Sequence, residues 1–281
     1  MRFILIREIA ISDIKKDNHV DFKDCLFSES LISGEFEYLN IKKWIRYAAV
    51  NYGHADQILI TKANIGLLCD KLKWEHCRYI DCIFSFKTFF NAFLRLYFEN
   101  GMPYYGEMMD NFDSLFCRDK LQEFQDKVGI AAEKFKEFLN QLNIFSMKTH
   151  TLGNYMPCPD SSYNHKKGNN EGPFQDRIDI LYDAIVNNKH IEYIGDNTIK
   201  AWKAWFEKNQ DSLYLSEILN ARKELMKFTC PSEKKGRYTV FVMKGKEDII
   251  AYTTYLRIVN ELINNRTNMM IDKMNNDEKN P

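Results

Sequence analysis

LQEFQDKVGIAAEKFKEFLNQLNIF, residues 121–145, is the stretch whose reading decides the fold class. Its apolar positions Leu121, Phe124, Val128, Ala131, Phe135, Phe138, Leu142 and Phe145 step 3, 4, 3, 4, 3, 4, 3, so one seam runs along a helix for more than three heptads. The spacing predicts a long helix packed along its length. A coiled-coil dimer would satisfy such a seam; Gly129 within it and the Phe-rich segments on either side favour a partner in the same chain.

Helical spacing extends outward in both directions. Towards the amino terminus, Phe36, Leu39, Trp44, Ile45, Ala48 and Tyr52 end at Gly53, a second helix fits between Thr61 and Trp74, and Ile80 to Phe98 reads as a deeply buried helix. That last segment is too polar for a membrane span, because Asp81, Ser85, Thr88, Asn91 and Arg95 form a stripe along one face. Glycines and a proline in ENGMPYYGEM then break it. Towards the carboxy terminus, a helix entered after Pro173 buries Ile178, Leu181, Tyr182 and Ile185. Asn197 can cap a helix carrying Ile199, Trp202, Trp205 and Phe206, and Asp211 or Ser212 the one through Leu213, Ile218, Leu219 and Leu225. YTVFVM, residues 238–243, is the best strand, buried on both faces or paired with the amino-terminal FILI, and a helix runs from Glu247 to about Met270. The expected fold is mainly α: a multi-helix globular bundle with at most a small two-stranded β element and one long polar loop. Residues 1–145 form an amino-terminal helical region and 146–271 a second region with its polar loop at 146–177. The tail 272–281, whose only apolar side chain is Met274, is expected to be disordered.

At 281 residues the chain buries a core without covalent staples, and 39 basic against 39 acidic residues leave no global field to draw nucleic acid or membrane. Seven cysteines without a CxxC pair argue against a secreted disulfide framework and a zinc ribbon, which points to a reducing cytoplasm. His76 and Cys77 read as ordinary packing at a helix corner. No metal-ligand set is apparent, and the sequence identifies no particular cofactor.

The unusual chemistry is concentrated in SMKTHTLGNYMPCPDSSYNHKKGNNEGPFQDRIDILY, residues 146–182. Thr149, His150, Thr151, Gly153 and Asn154 bring hydroxyl, imidazole and amide groups together past a helix end, where unpaired carbonyls need donors. Asn164, His165, Lys166, Lys167 and Arg177 add groups that bind anions, and Gly168 and Gly172 permit close backbone approach. His150 is the candidate catalytic acid or base; Thr149, Asn154, Asn164, His165, Lys166, Lys167 and Arg177 are the candidate ligand-binding residues. Neither a carboxylate cluster for magnesium nor a Gly-rich phosphate cradle accompanies them.

At these positions the chain resembles a bacterial family of unknown function sharing an HT-[IL]-G segment, a [FY]-N pair, a D-R-x-D-[IL] helix start and a Y-x-x-Y-x-R-x-x-N-E-x-I-x-x-R helix. They read here as His150 to Gly153, Tyr163-Asn164, Asp176 to Ile180, and Tyr252 to Arg266. The likeness spans roughly Lys148 to Asp272 and implies an architecture without a mechanism. A second likeness is to the tail of GmrSD-type HNH nuclease domains, carried by His150-Thr151-Leu152-Gly153-Asn154 and Tyr163-Asn164. The D-H-[IV] motif of such nucleases is missing; Ser146-Met147-Lys148 stands in that neighbourhood, so the chain would be a reshaped version.

Three functional readings follow, of which the sequence favours the phosphate-ligand reading and leaves the scaffold as the alternative. The first is binding, or processing, of a phosphate-bearing ligand, nucleotide or nucleic acid, in a phage-defence context, with His150 as acid or base and Lys166, Lys167 and Arg177 on phosphate. The second keeps the same cations for binding alone. The third makes the chain a non-enzymatic scaffold or protein-interaction module, with the loop as a structural clasp and the Phe-rich helices facing a protein partner or a second copy.

Overall fold

Gly129 divides the long seam. It adopts a left-handed backbone (φ 66°) and closes the helix Arg118–Val128, with its amide on Asp126 O and the Ile130 amide on Gln125 O. A second helix, Ala132–Lys148, then begins, so Phe124 meets Phe135 within the chain at a ring separation of 5.4 Å. The 3-4 spacing survives such a break because only the period, not the continuity of the backbone, is written in it.

The computed structural model describes residues 9–18, 20–23, 38–51, 65–74, 80–99, 101–159, 178–190, 194–228, 231–235 and 238–277. In chain order the elements are α1 Ile11–Lys16, α2 Leu39–Asn51, α3 Ile65–Lys71, β1 Ile80–Cys82, α4 Phe86–Tyr97, α5 Tyr105–Asp110, α6 Phe112–Leu115, α7 Arg118–Val128 and α8 Ala132–Lys148. A 3₁₀ turn Leu152–Asn154 leads into β2 Tyr155–Pro157, followed by α9 Ile178–Val186, α10 Asp196–Asn209, α11 Ser216–Leu225, β3 Ser232–Lys235, β4 Tyr238–Phe241 and α12 Lys246–Asp277. The protein is mainly α, as the periodicities predict. Among the described residues, strands occur as two antiparallel pairs, β1 with β2 (Cys82 opposite Tyr155) and the hairpin β3–β4. β4 thus has a sequence neighbour as partner; the amino-terminal FILI lies outside the described residues, as do His76 and Cys77.

α8 and α12 pack along each other and form the axis of the molecule; α2 and α4 lie on α8, and α11, α1 and the 3₁₀ turn lie on α12. Buried side chains from Ile9 to Met274 make one contiguous core that crosses the 145/146 boundary without a break. Phe89 of α4 stands at its aromatic centre, against Phe145 of α8, Phe241 of β4 and Tyr252 and Tyr255 of α12. Burying each such ring stabilises the fold by roughly 1.5–3 kcal/mol.

Further expectations are corrected. α10 is entered from Gly195 and α11 from Leu215, so neither Asn197 nor Asp211 or Ser212 caps a helix. The segment Ile80–Phe98 is helical only from Phe86; its start is strand β1, so Asp81 and Ser85 are not on the helix face of Thr88, Asn91 and Arg95. The opening of the polar loop is regular structure: residues 146–148 finish α8, and Leu152, Tyr155 and Met156 carry the intervening polar residues into the core. The tail is helical as far as Asp277, because Met274 continues the buried Met270–Ile271 face one turn on and Lys273 pairs with Asp277; residues 278–281 lie outside the described residues. Among the described residues no helix is long and apolar enough to cross a membrane.

No atom lies within 4 Å of a Cβ added at Gly129, so Gly129→Ala carries the backbone penalty alone. The expected loss in urea unfolding is about 1–2 kcal/mol with the m-value unchanged; an unaffected midpoint would show that the left-handed cap does not form.

Candidate functional site

The HTLGN segment is positioned by the end of α8. Thr149 donates its amide to Phe145 O, and Thr151 donates both its amide and its hydroxyl to Lys148 O, so the two threonines satisfy the last-turn carbonyls. Thr149 also reaches across the core: its Oγ1 accepts from the Phe86 amide at the start of α4 (3.3 Å), and its carbonyl accepts from Cys82 Sγ (3.1 Å).

Asn154 is buried completely. Its Oδ1 accepts from the Phe84 amide (3.0 Å), and its Nδ2 donates to the carbonyls of Phe84 (2.8 Å) and Thr149 (2.7 Å). Its own carbonyl accepts from the Ile83 amide (2.7 Å). One amide side chain therefore ties the β1–α4 connection to the end of α8.

The other side of the segment is held by α12. Gly153 lies so close to this helix that an added Cβ would fall inside the radii of Ile263 O and Thr267 Oγ1, and 2.8 Å from Thr267 N. The Gly153 amide donates to Thr267 Oγ1 (3.0 Å), and Arg266 Nη1 donates to the carbonyls of Gly153 and Tyr155 (2.6 Å each), while Nε reaches Leu213 O (2.9 Å). Arg266 is buried, and desolvation lowers its pKa to about 9, against a smaller opposing effect of Tyr214. At neutral pH it is a cation.

His150 lies within this arrangement, 4.6 Å from the Tyr47 ring and 6.4 Å from the Tyr155 ring. Its carbonyl accepts from the Phe22 amide (2.9 Å). Beside it Lys23, itself fully buried, donates Nζ to Asp21 Oδ2 (2.5 Å) and Ser146 O (2.7 Å). Burial first, and the Lys23 ammonium second, push the His150 pKa down to about 3, against the smaller opposite pull of Asp21 and Asp81. The imidazole is neutral and 5% exposed, a poor position from which to exchange a proton with a bound substrate.

The structure brings Thr149, His150 and Asn154 together, the polar groups of Thr149 and Asn154 directed at the protein's own backbone and the His150 imidazole set against Tyr47 and Tyr155. Asn164, His165, Lys166, Lys167 and Arg177 lie outside the described residues. Sequence reasoning singled out neither Asp21 and Lys23 nor Thr267 as part of this cluster. Arg266 closed the Y-x-x-Y-x-R-x-x-N-E-x-I-x-x-R pattern without a role; its signal was an arginine on the apolar face of a helix, at i+4 and i+7 from Leu262 and Val259. Among the described residues no three His, Cys, Asp or Glu side chains gather to hold a metal ion. No protein-family model, curated protein or solved structure matches this chain.

Two predictions follow from the geometry. Gly153→Ala must move the turn off α12 and is expected to remove more than about 3 kcal/mol of stability or prevent folding; a near-neutral value in denaturant unfolding would contradict the contact. For His150, the folded state resists the proton until about pH 3 while the unfolded chain takes it up near the ordinary 6.5. The unfolded state therefore binds more protons in that window, and stability falls as pH falls through it. Between pH 6.5 and 5 the His150 contribution is about 2 kcal/mol. His150→Gln should flatten the pH dependence of the urea midpoint by that amount, whatever its absolute stability; an unchanged slope would mean that His150 titrates normally.

Proposed function

We propose that this chain is a non-enzymatic helical scaffold, or protein-interaction module, in which residues 149–157 act as an internal clasp. The observation that supports the reading is the full commitment of Asn154: four hydrogen bonds through its side chain and carbonyl, all to backbone 5 to 71 residues distant in sequence, at zero exposure. A ligand-binding amide keeps a donor for its ligand, whereas both N–H donors of this one are spent on backbone carbonyls and the side chain is wholly buried. Thr149 and Gly153 are engaged in the same manner, and His150 is held neutral among aromatic rings. A phosphate-bearing ligand would have to be held by Asn164, His165, Lys166, Lys167 and Arg177 without them.

The clasp fastens segments of the core that are distant in sequence. β1 and the start of α4 meet α8 through Asn154 and Thr149, and α12 meets the same turn through Arg266 and Thr267. Deleting Asn154 leaves buried partners without water, at a cost of about 1–3 kcal/mol for each group left unsatisfied.

The test combines stability with ligand response. Asn154→Ala is expected to lose about 2–4 kcal/mol in urea unfolding, as several buried partners are orphaned at once. Wild-type protein is expected to show no thermal shift with nucleotides, short RNA or DNA, or divalent metals. A shift with nucleotide or nucleic acid that disappears in the double variant Lys166→Ala, Lys167→Ala would overturn the scaffold reading and place a phosphate-ligand site on those lysines.

A further inference from the structure

Arg266 presents an unbalanced charge at the centre of the clasp. A guanidinium has five N–H donors, and three are spent on the carbonyls of Leu213, Gly153 and Tyr155. The two that remain are both on Nη2, which is buried and has no acceptor among the described residues. No Asp or Glu among the described residues pairs with this cation, which is 1% exposed. Carbonyl dipoles satisfy hydrogen bonds but carry no net charge, and a buried cation is ordinarily matched by an anion.

The surroundings are fixed. The guanidinium carbon lies 5.9 Å from the Trp74 ring centroid, and Trp74 Nε1 donates to Ser212 O (2.7 Å), which pins the turn before Tyr214 to the end of α3. Lys73 (φ 58°) and Tyr214 (φ 53°), one on each of these turns, both hold a left-handed backbone that side chains other than glycine rarely adopt. Such strain persists only where packing enforces it. Packing therefore holds the two turns that flank Arg266.

We propose that Arg266 Nη2 binds a small monatomic anion of the halide class, which supplies the missing counter-charge and the missing acceptor at once. The donor inventory selects the size and charge. A phosphate brings several oxygens and up to two charges, each needing donors or cations that this locus does not have, whereas one halide is matched by two N–H groups and one positive charge. A water molecule would accept from Nη2 but leave the charge unbalanced.

Bromide distinguishes these outcomes, because it replaces chloride and scatters anomalously. Crystals of the wild-type protein soaked in sodium bromide are expected to show an anomalous peak within hydrogen-bonding distance of Nη2. In solution the melting temperature is expected to be higher in chloride than in gluconate at equal ionic strength, by on the order of 2 °C. Bromide peaks elsewhere, or density at Nη2 without an anomalous signal, would overturn the proposal and leave water as the partner. So would a melting temperature indifferent to chloride, and a chloride effect without bromide at Nη2 would assign that effect to another site.

Discussion

The approach of the Leu152–Asn154 turn to α12 governs the rest of the structure. Only a glycine lets the turn come close enough for the Gly153 amide to meet Thr267 Oγ1 and for Arg266 to reach the carbonyls on either side of Asn154. Once the turn is seated, the Asn154 side chain meets the Phe84 backbone, and the entry to α4 is set. The Phe89 cluster, to which α4, α8, β4 and α12 all contribute, depends on that placement.

This arrangement places an unusual number of polar groups inside an aromatic core. Asp21, Lys23, Ser146, Thr149, His150, Asn154, Arg266 and Thr267 are all buried. Apolar residues of similar volume would often be equally stabilising, but they would not specify which backbone segment meets which. Directional bonds from Asn154 and Arg266 admit one register of turn against helix, and the short strand pair β1–β2 adds a second constraint on the same alignment. The polar layer is thus a source of specificity at the junction of segments distant in sequence.

Much of the helical framework was legible in the sequence. The seam through Phe124, Phe135, Phe138, Leu142 and Phe145, and the apolar faces of α9, α10, α11 and α12, are periodic over enough residues for burial to leave an unambiguous record. Boundaries are less so: the apolar seam reads straight through Gly129, although its φ of 66° ends the helix, and the periodic pattern stops short of Met274, whose burial extends α12. At the candidate site, Thr149, His150 and Asn154 stood out by residue type, but their partners could not. A buried amide and a solvent-facing amide are the same letter, and the lone Lys23 that bonds Ser146 O sits more than a hundred residues away in the chain.

By itself the sequence determined that this protein is mainly helical and that His150, Gly153 and Asn154 occupy a segment unlike the rest, because periodicity and residue chemistry are local properties. Only the tertiary structure decided that the segment turns inward rather than towards solvent. That outcome rests on Gly153 against α12, on Arg266 reaching two carbonyls of the turn, and on the His150 imidazole enclosed beside Tyr47. Each is a contact between residues about a hundred or more positions apart, and the free energy of such a contact depends on the desolvation and geometry of both partners together, which neither partner's local sequence encodes.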